Sequence, residues 1–195
     1  MSLFRVYSAQ ETGPVIAGNG IILRTPSIAD FEEWAVLRGR SRNFLTPWEP
    51  KWPADDLTRG AFRRRLRRYQ TEIRDDNAYP FFIFQAEDGT LLGGVTVSNI
   101  ARGMTQSATI GYWMGEEHAG RGHMEDALKA LVPFAFRTLN LHRLEAACLP
   151  NNARSIRLLE KLGFQREGLA RGLVCINGQW RDHIVFALLN GDPWP

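Results

Sequence analysis

The chain has 195 residues, 44% of them apolar and 23% charged, enough for one domain to bury a core without a metal or disulfide. Its formal charge of +3 is unevenly spread. Of 24 basic residues 21 are Arg, and seven of these lie between Arg59 and Arg74 beside one Glu, so that segment carries +6 and the remainder −3. A uniformly basic protein is excluded, and so is a membrane-spanning helix, since no apolar run reaches the roughly 18 residues that a bilayer requires.

The first twenty residues contain Arg5, Gln10, Glu11 and Asn19 and no apolar stretch of signal-peptide length, so a cytoplasmic location is expected. Cys148 and Cys175 form no Cys-x-x-Cys pair and sit in β-like apolar runs, where free Cys acts as a small hydrophobe. The four histidines, His118, His123, His142 and His183, lack metal-ligand spacing, and no metal is expected. Residues 1–19 read as an N-terminal extension, 20–190 as one domain and 191–195 as a tail.

The first strand covers 20–26 and stops at Pro26. Ser27 with Asp30 resembles a capping box and opens a helix to about Arg40, carrying Phe31, Trp34 and Leu37. Ser41 to Ala54 reads as a loop rich in Pro and aromatic residues. Asp55 and Asp56 open a second helix, with Leu57, Ala61, Phe62, Leu66, Tyr69 and Ile73 as its apolar stripe and the arginines on its other faces. Strands Tyr79 to Ala86 and Leu91 to Ser98 flank Asp88-Gly89, a hairpin signal, and Ala108 to Met114 is a further strand. A glycine-bearing loop, 115–122, leads into a helix to about Leu139. Pro133 lies inside that helix, removes one backbone donor and should kink it. His142 to Leu149 is a strand and Asn152 to Leu162 a short helix stopped by Gly163. Two strands, 165–176 and 180–189, surround Asn177-Gly178. The order is mixed α/β, with a strongly antiparallel first half.

The loop Glu117-His118-Ala119-Gly120-Arg121-Gly122-His123-Met124 joins a strand to a helix start. Glycines there permit a tight turn and close approach to a ligand, and unpaired helix amides suit a pyrophosphate. Taken alone, the Gly-x-Gly also suits a purely structural turn. A dinucleotide site fits worse, because the third glycine of that fingerprint is missing and the preceding strands are hairpins. About thirty residues later comes Asn151-Asn152-Ala153-Arg154-Ser155, followed by Lys161-Leu162-Gly163-Phe164.

Together these segments resemble the GNAT superfamily of acetyl-CoA-dependent N-acetyltransferases, the first its pyrophosphate loop and the second its Asn-x-x-Ser and Lys-x-Gly-Phe motif. Phe44-Leu45-Thr46-Pro47-Trp48-Glu49-Pro50 and Asn177-Gly178-Gln179-Trp180-Arg181-Asp182-His183 are similar to the RimJ/RimL-like branch, RimJ-like above all, which acetylates N-termini of ribosomal proteins. The resemblance covers about residues 20 to 190. It implies a largely antiparallel sheet flanked by helices in a single domain, acetyl-CoA as cosubstrate, and a ribosomal protein with N-terminal Ala or Ser as acceptor. Tyr112, Trp113 and Met114 would hold the pantetheine arm; Gly120, Arg121, Gly122, His123 and Met124 the pyrophosphate; Asn152 and Ser155 would face the cofactor. The resemblance also makes Ser155 a candidate acid for the departing thiolate. In some relatives a Glu follows the Gly-Phe strand, but Val174 stands there in this chain, leaving Glu49, Glu116 and Glu117 as candidate bases. Where the superfamily often has Gln or Arg, this loop begins with Glu117, which is expected to point away from a diphosphate. Two other readings remain beside it: a small-molecule amine acetyltransferase, and an RNA- or ribosome-binding module with a vestigial cofactor site. The Arg59–Arg74 helix could lie near rRNA, although most charge runs are simply solvated faces.

Overall fold

The structure is a computed structural model and describes residues 13–194. Residues 1–12, which include Arg5, Gln10, Glu11 and most of the expected 1–19 extension, lie outside the described residues, as does Pro195 of the tail. In chain order the elements are β1 (Val15–Ala17), β2 (Ile21–Arg24), α1 (Phe31–Arg40), α2 (Arg42–Leu45), α3 (Arg59–Arg74), β3 (Tyr79–Gln85), β4 (Leu91–Ala101), β5 (Ser107–Met114), α4 (His123–Pro133), β6 (Arg143–Cys148), α5 (Ala153–Lys161), β7 (Gln165–Ile176) and β8 (Gln179–Leu189). The eight strands form one sheet in the order β1-β2-β3-β4-β5-β6-β8-β7. Every pairing is antiparallel except β5 with β6.

Both hairpin signals are realised. Gly89 takes φ +76°, and Asn177 and Gly178 take φ +45° and +82°, the left-handed pair that a two-residue hairpin turn demands. The sheet begins before residue 20, because Val15 and Ala17 pair with Arg24 and Ile22.

Three local differences from the sequence reading have physical causes. The 41–54 segment contains α2 and a 3-10 turn, Thr46–Trp48, where Pro47 occupies the first turn and no donor is missed. Helix α3 starts at Arg59 rather than Asp55. Thr58 is its cap, with Oγ1 accepting the Ala61 N–H at 3.2 Å, while Asp55 and Asp56 instead receive Arg64 and Arg65. Beyond Pro133 the helix widens into a π turn, Phe134–Thr138, closed by Leu139 N–H on the Phe134 carbonyl at 3.0 Å, which absorbs the donor missing at Pro133.

The apolar run of β3 faces both ways. Phe81 and Ile83 enter the core beneath α4, whereas Phe82 and Phe84 pack with Trp34 of α1 and Phe62 of α3. The Trp34 and Phe62 rings are 4.7 Å apart, and losing a buried Phe here would cost about 3–5 kcal/mol. In β4 a Cβ at Gly94 would sit 2.5 Å from Trp113 Nε1, so glycine admits the indole of the neighbouring strand. Both faces are thus covered, and the one parallel seam is left to open.

Candidate active site

β5 and β6 pair only from Ser107–Arg143 to Thr109–Glu145. Beyond Thr109, β5 continues beside β4 to Gly93–Met114, while β6 continues beside β8 to Cys148–Ile184. The strands therefore diverge, and residues 110–114 of β5 present an edge with no partner strand on the β6 side among the described residues. Such an edge carries free N–H and C=O groups that can pair with an extended ligand.

Two helix starts converge on this opening. Gly120 and Gly122 take φ +78° and +89°, conformations that favour glycine, and Gly122 stands at the N-cap of α4. No side chain caps that helix, and the N–H groups of Gly120 to Met124 have no protein partner among the described residues. With the helix dipole behind them, they suit a pyrophosphate. From the other side, Asn152 caps α5, its Oδ1 accepting the Ser155 N–H at 3.2 Å. This cap sets Ser155 on the first turn, where its Oγ lies 2.6 Å from the Tyr112 hydroxyl. Burial pushes the Tyr112 phenol well above its usual range, against the smaller opposing effect of the Ser155 bond. Burial also pushes up the Cys148 thiol, at the end of β6, keeping it protonated.

These elements bound a cleft of about 1140 Å³. Of the residues singled out from sequence, Glu49, Tyr112, Trp113, Met114, Gly120, Gly122, His123, Met124, Asn152 and Ser155 all line it. Arg121 is exposed and does not. Neither does Glu117, whose carboxylate lies 3.9 Å from His118 Nε2. Glu116 is exposed, and its N–H donates to Ser41 Oγ at 2.9 Å.

Glu49 is heavily engaged. Arg38 donates to both its oxygens at 2.8 Å, and Trp52 Nε1 donates to Oε2 at 2.7 Å. The Arg38 guanidinium lies 4.1 Å from the centre of the Trp52 ring, and the Glu49 carbonyl accepts the Asn177 N–H at 3.2 Å. The 46–52 loop is thereby fastened to α1 and to the β7–β8 turn. Asp182 accepts the Gly172 N–H at 2.8 Å, and His183 Nδ1 lies 3.0 Å from the Arg181 carbonyl, so both brace the hairpin.

The role of the Tyr112 hydroxyl has no local sequence signature, because the contact with Ser155 joins residues 43 apart. Arg154, Arg157 and Lys161 also line the cleft as a cationic row, for which their 3- and 4-residue spacing on α5 is the available sequence signal. His118 lines the cleft too, and burial lowers its pKa. A second cleft, of about 710 Å³, adjoins the first and shares Pro47 and Asn151 with it.

A mixed sheet that splays at its parallel seam, with two helix N-termini over the opening, is an arrangement suited to a diphosphate-bearing coenzyme with an extended arm. Residues 21–165 match the profile of the Acetyltransferase (GNAT) domain, and the chain belongs to that family of acetyltransferases. It is 40% identical over 178 residues to "Probable N-acetyltransferase YjcK" of Bacillus subtilis, covering 91% of this chain and 98% of that one. It is 34% identical over 170 residues to the [ribosomal protein uS5]-alanine N-acetyltransferase of Escherichia coli, covering 86% and 88%. Among solved structures, Mycobacterium smegmatis RimJ in complex with CoA-disulfide superposes with a TM-score of 0.84 at 29% identity, covering 91% of this chain and 86% of that one. Its homologues and structural neighbours thus include ribosomal-protein-alanine N-acetyltransferases and RimJ.

Proposed function

We propose that the protein transfers the acetyl group of acetyl-CoA to the N-terminal α-amine of a ribosomal protein that begins with Ala or Ser, in the cytoplasm. The observation carrying this reading is the unpaired β5 edge facing the uncapped amides of Gly120 to Met124. The name of the E. coli relative supports the acceptor class, and the CoA-disulfide held by the M. smegmatis relative supports the cosubstrate.

Acetyl-CoA supplies an acetyl thioester. The β5 edge from Tyr112 to Met114 would pair with its amide-bearing arm, and the α4 amides would take its pyrophosphate. The amine nitrogen forms the new C–N bond and loses a proton; the C–S bond breaks and the sulfur gains one. An α-amine has a pKa of about 7.7–8.0, so an appreciable fraction is neutral near pH 7 and a strong base is not required. Tyr112 stays protonated, and Ser155 Oγ is the one acceptor within reach of its hydroxyl among the described residues. Donation from Tyr112 leaves the Ser155 O–H, whose other neighbour is the Cys148 thiol, to turn toward the departing thiolate. Glu49, with both oxygens occupied, positions the acceptor-side loop.

The Arg154, Arg157 and Lys161 rim disfavours a polycationic small amine. Purified protein with acetyl-CoA should acetylate peptides beginning with Ala or Ser. Acetylation of a polyamine with those peptides untouched contradicts the reading. Proximity to rRNA would fall to the exposed Arg63 and Arg67 of α3.

A further inference from the structure

β8 is longer than β6, the strand on its inner side. Pairing with β6 ends at Cys148–Ile184, because the Leu149–Asn152 turn, closed by Asn152 N–H on the Leu149 carbonyl at 2.9 Å and containing Pro150, lifts the chain into α5. β7 covers the other side of β8 down to Ile176–Gln179. Residues 179–183 of β8 therefore keep one edge without a partner strand among the described residues. Gln179 to Asp182 of that edge line the 710 Å³ cleft, together with Pro47 and Pro150. Trp180 also lines this cleft and is 71% exposed, a large apolar side chain left open to solvent.

We infer that the free edge of β8 binds the acceptor polypeptide as an added strand, in the lane that β6 vacates at Pro150, with Trp180 packing against one of its side chains. This rests on the N-terminal acceptor reading above. The commitment to an extended polypeptide comes from continuity: the lane adjoins the cosubstrate cleft through Pro47 and Asn151, and its inner end lies at Cys148, the terminus of β6. An acceptor running antiparallel to β8 would present its amine at that inner end. Five residues of edge span about 17 Å, so the lane reads about four to five acceptor residues through main-chain bonds and every second side chain.

The test uses peptides of two and six residues sharing the same N-terminal Ala, together with six-residue peptides N-methylated at single successive amides. The longer peptide should have the lower KM, and N-methylation should raise KM at alternate positions only, since alternate amides face the partner strand. Trp180→Ala should raise KM for the six-residue peptide about tenfold while leaving the dipeptide and acetyl-CoA unaffected. Equal KM for both lengths, or N-methyl effects without alternation, overturns the inference while the N-terminal reading stands. A dimer in sedimentation that long peptides fail to dissociate assigns the edge to a second copy and also overturns it. Failure to acetylate any peptide overturns both.

Discussion

Tyr112 of β5 and Ser155 of α5 share a 2.6 Å hydrogen bond that bridges the two elements flanking the open seam. In the proposed transfer the pair orients the Ser155 hydroxyl. Ser155→Ala should lower kcat by about 10²-fold or more, the usual scale for losing a proton-transfer group. Tyr112→Phe should lower it by about tenfold, the loss of one orienting hydrogen bond. KM for acetyl-CoA should change little in either variant, which steady-state kinetics will report.

Gly122 holds φ +89° at the start of α4, and a Cβ added there would meet nothing within 4 Å. Conformation rather than space therefore demands glycine. Gly122→Ala should strain the loop by about 1–2 kcal/mol and weaken CoA binding by roughly tenfold, measured by calorimetry.

Glu49 and Arg38 form a largely buried pair, 21% and 9% exposed. Removing one partner of such a pair strands the other, and Glu49→Ala should cost about 3–5 kcal/mol. Thermal unfolding of Glu49→Gln should show lowered stability with substantial residual kcat. Lost kcat at unchanged stability would make Glu49 the base instead.

Among the described residues, most arginines of α3 are neutralised locally. Arg59 pairs with Glu32, Arg64 with Asp55, Arg65 with Asp56, Arg68 with Glu72 and Arg74 with Asp75, leaving exposed Arg63 and Arg67 without an ion partner. The +6 helix of the sequence reading is thus a weakly charged face. Arg63→Gln with Arg67→Gln should slow acetylation on ribosomal particles at low salt and leave a short peptide unaffected. Unchanged rates on both acceptors would exclude a role for RNA contact.

His118 gives stability a pH dependence of defined sign. Burial holds its imidazole below the usual range of about 6.5, so it is neutral in both folded and unfolded chains above that pH. As pH falls, the unfolded chain takes up the proton first and the folded state loses stability. The melting temperature of His118→Asn should fall less than that of the unaltered protein between about pH 7 and 5.

Local chemistry was legible in the sequence: the Asn177-Gly178 turn, the Asn152 cap and the glycines at 120 and 122 all act within a few residues of themselves. What escaped it joins distant segments. The Glu49 carbonyl bond to Asn177 and the Tyr112–Ser155 contact depend on how helices and strands come to lie together. The splay of β5 from β6 is likewise a property of the sheet, and only the resemblance of two separated motifs pointed to it.

Acetyl transfer to a ribosomal N-terminus is tested most directly by intact-mass analysis of ribosomal proteins from cells with the protein, without it and with Ser155→Ala. One ribosomal protein should carry an added acetyl group on its N-terminal amine, lost without the protein and strongly reduced in the variant. Identical ribosomal masses in all three, with a small amine acetylated by the purified protein, would contradict that transfer.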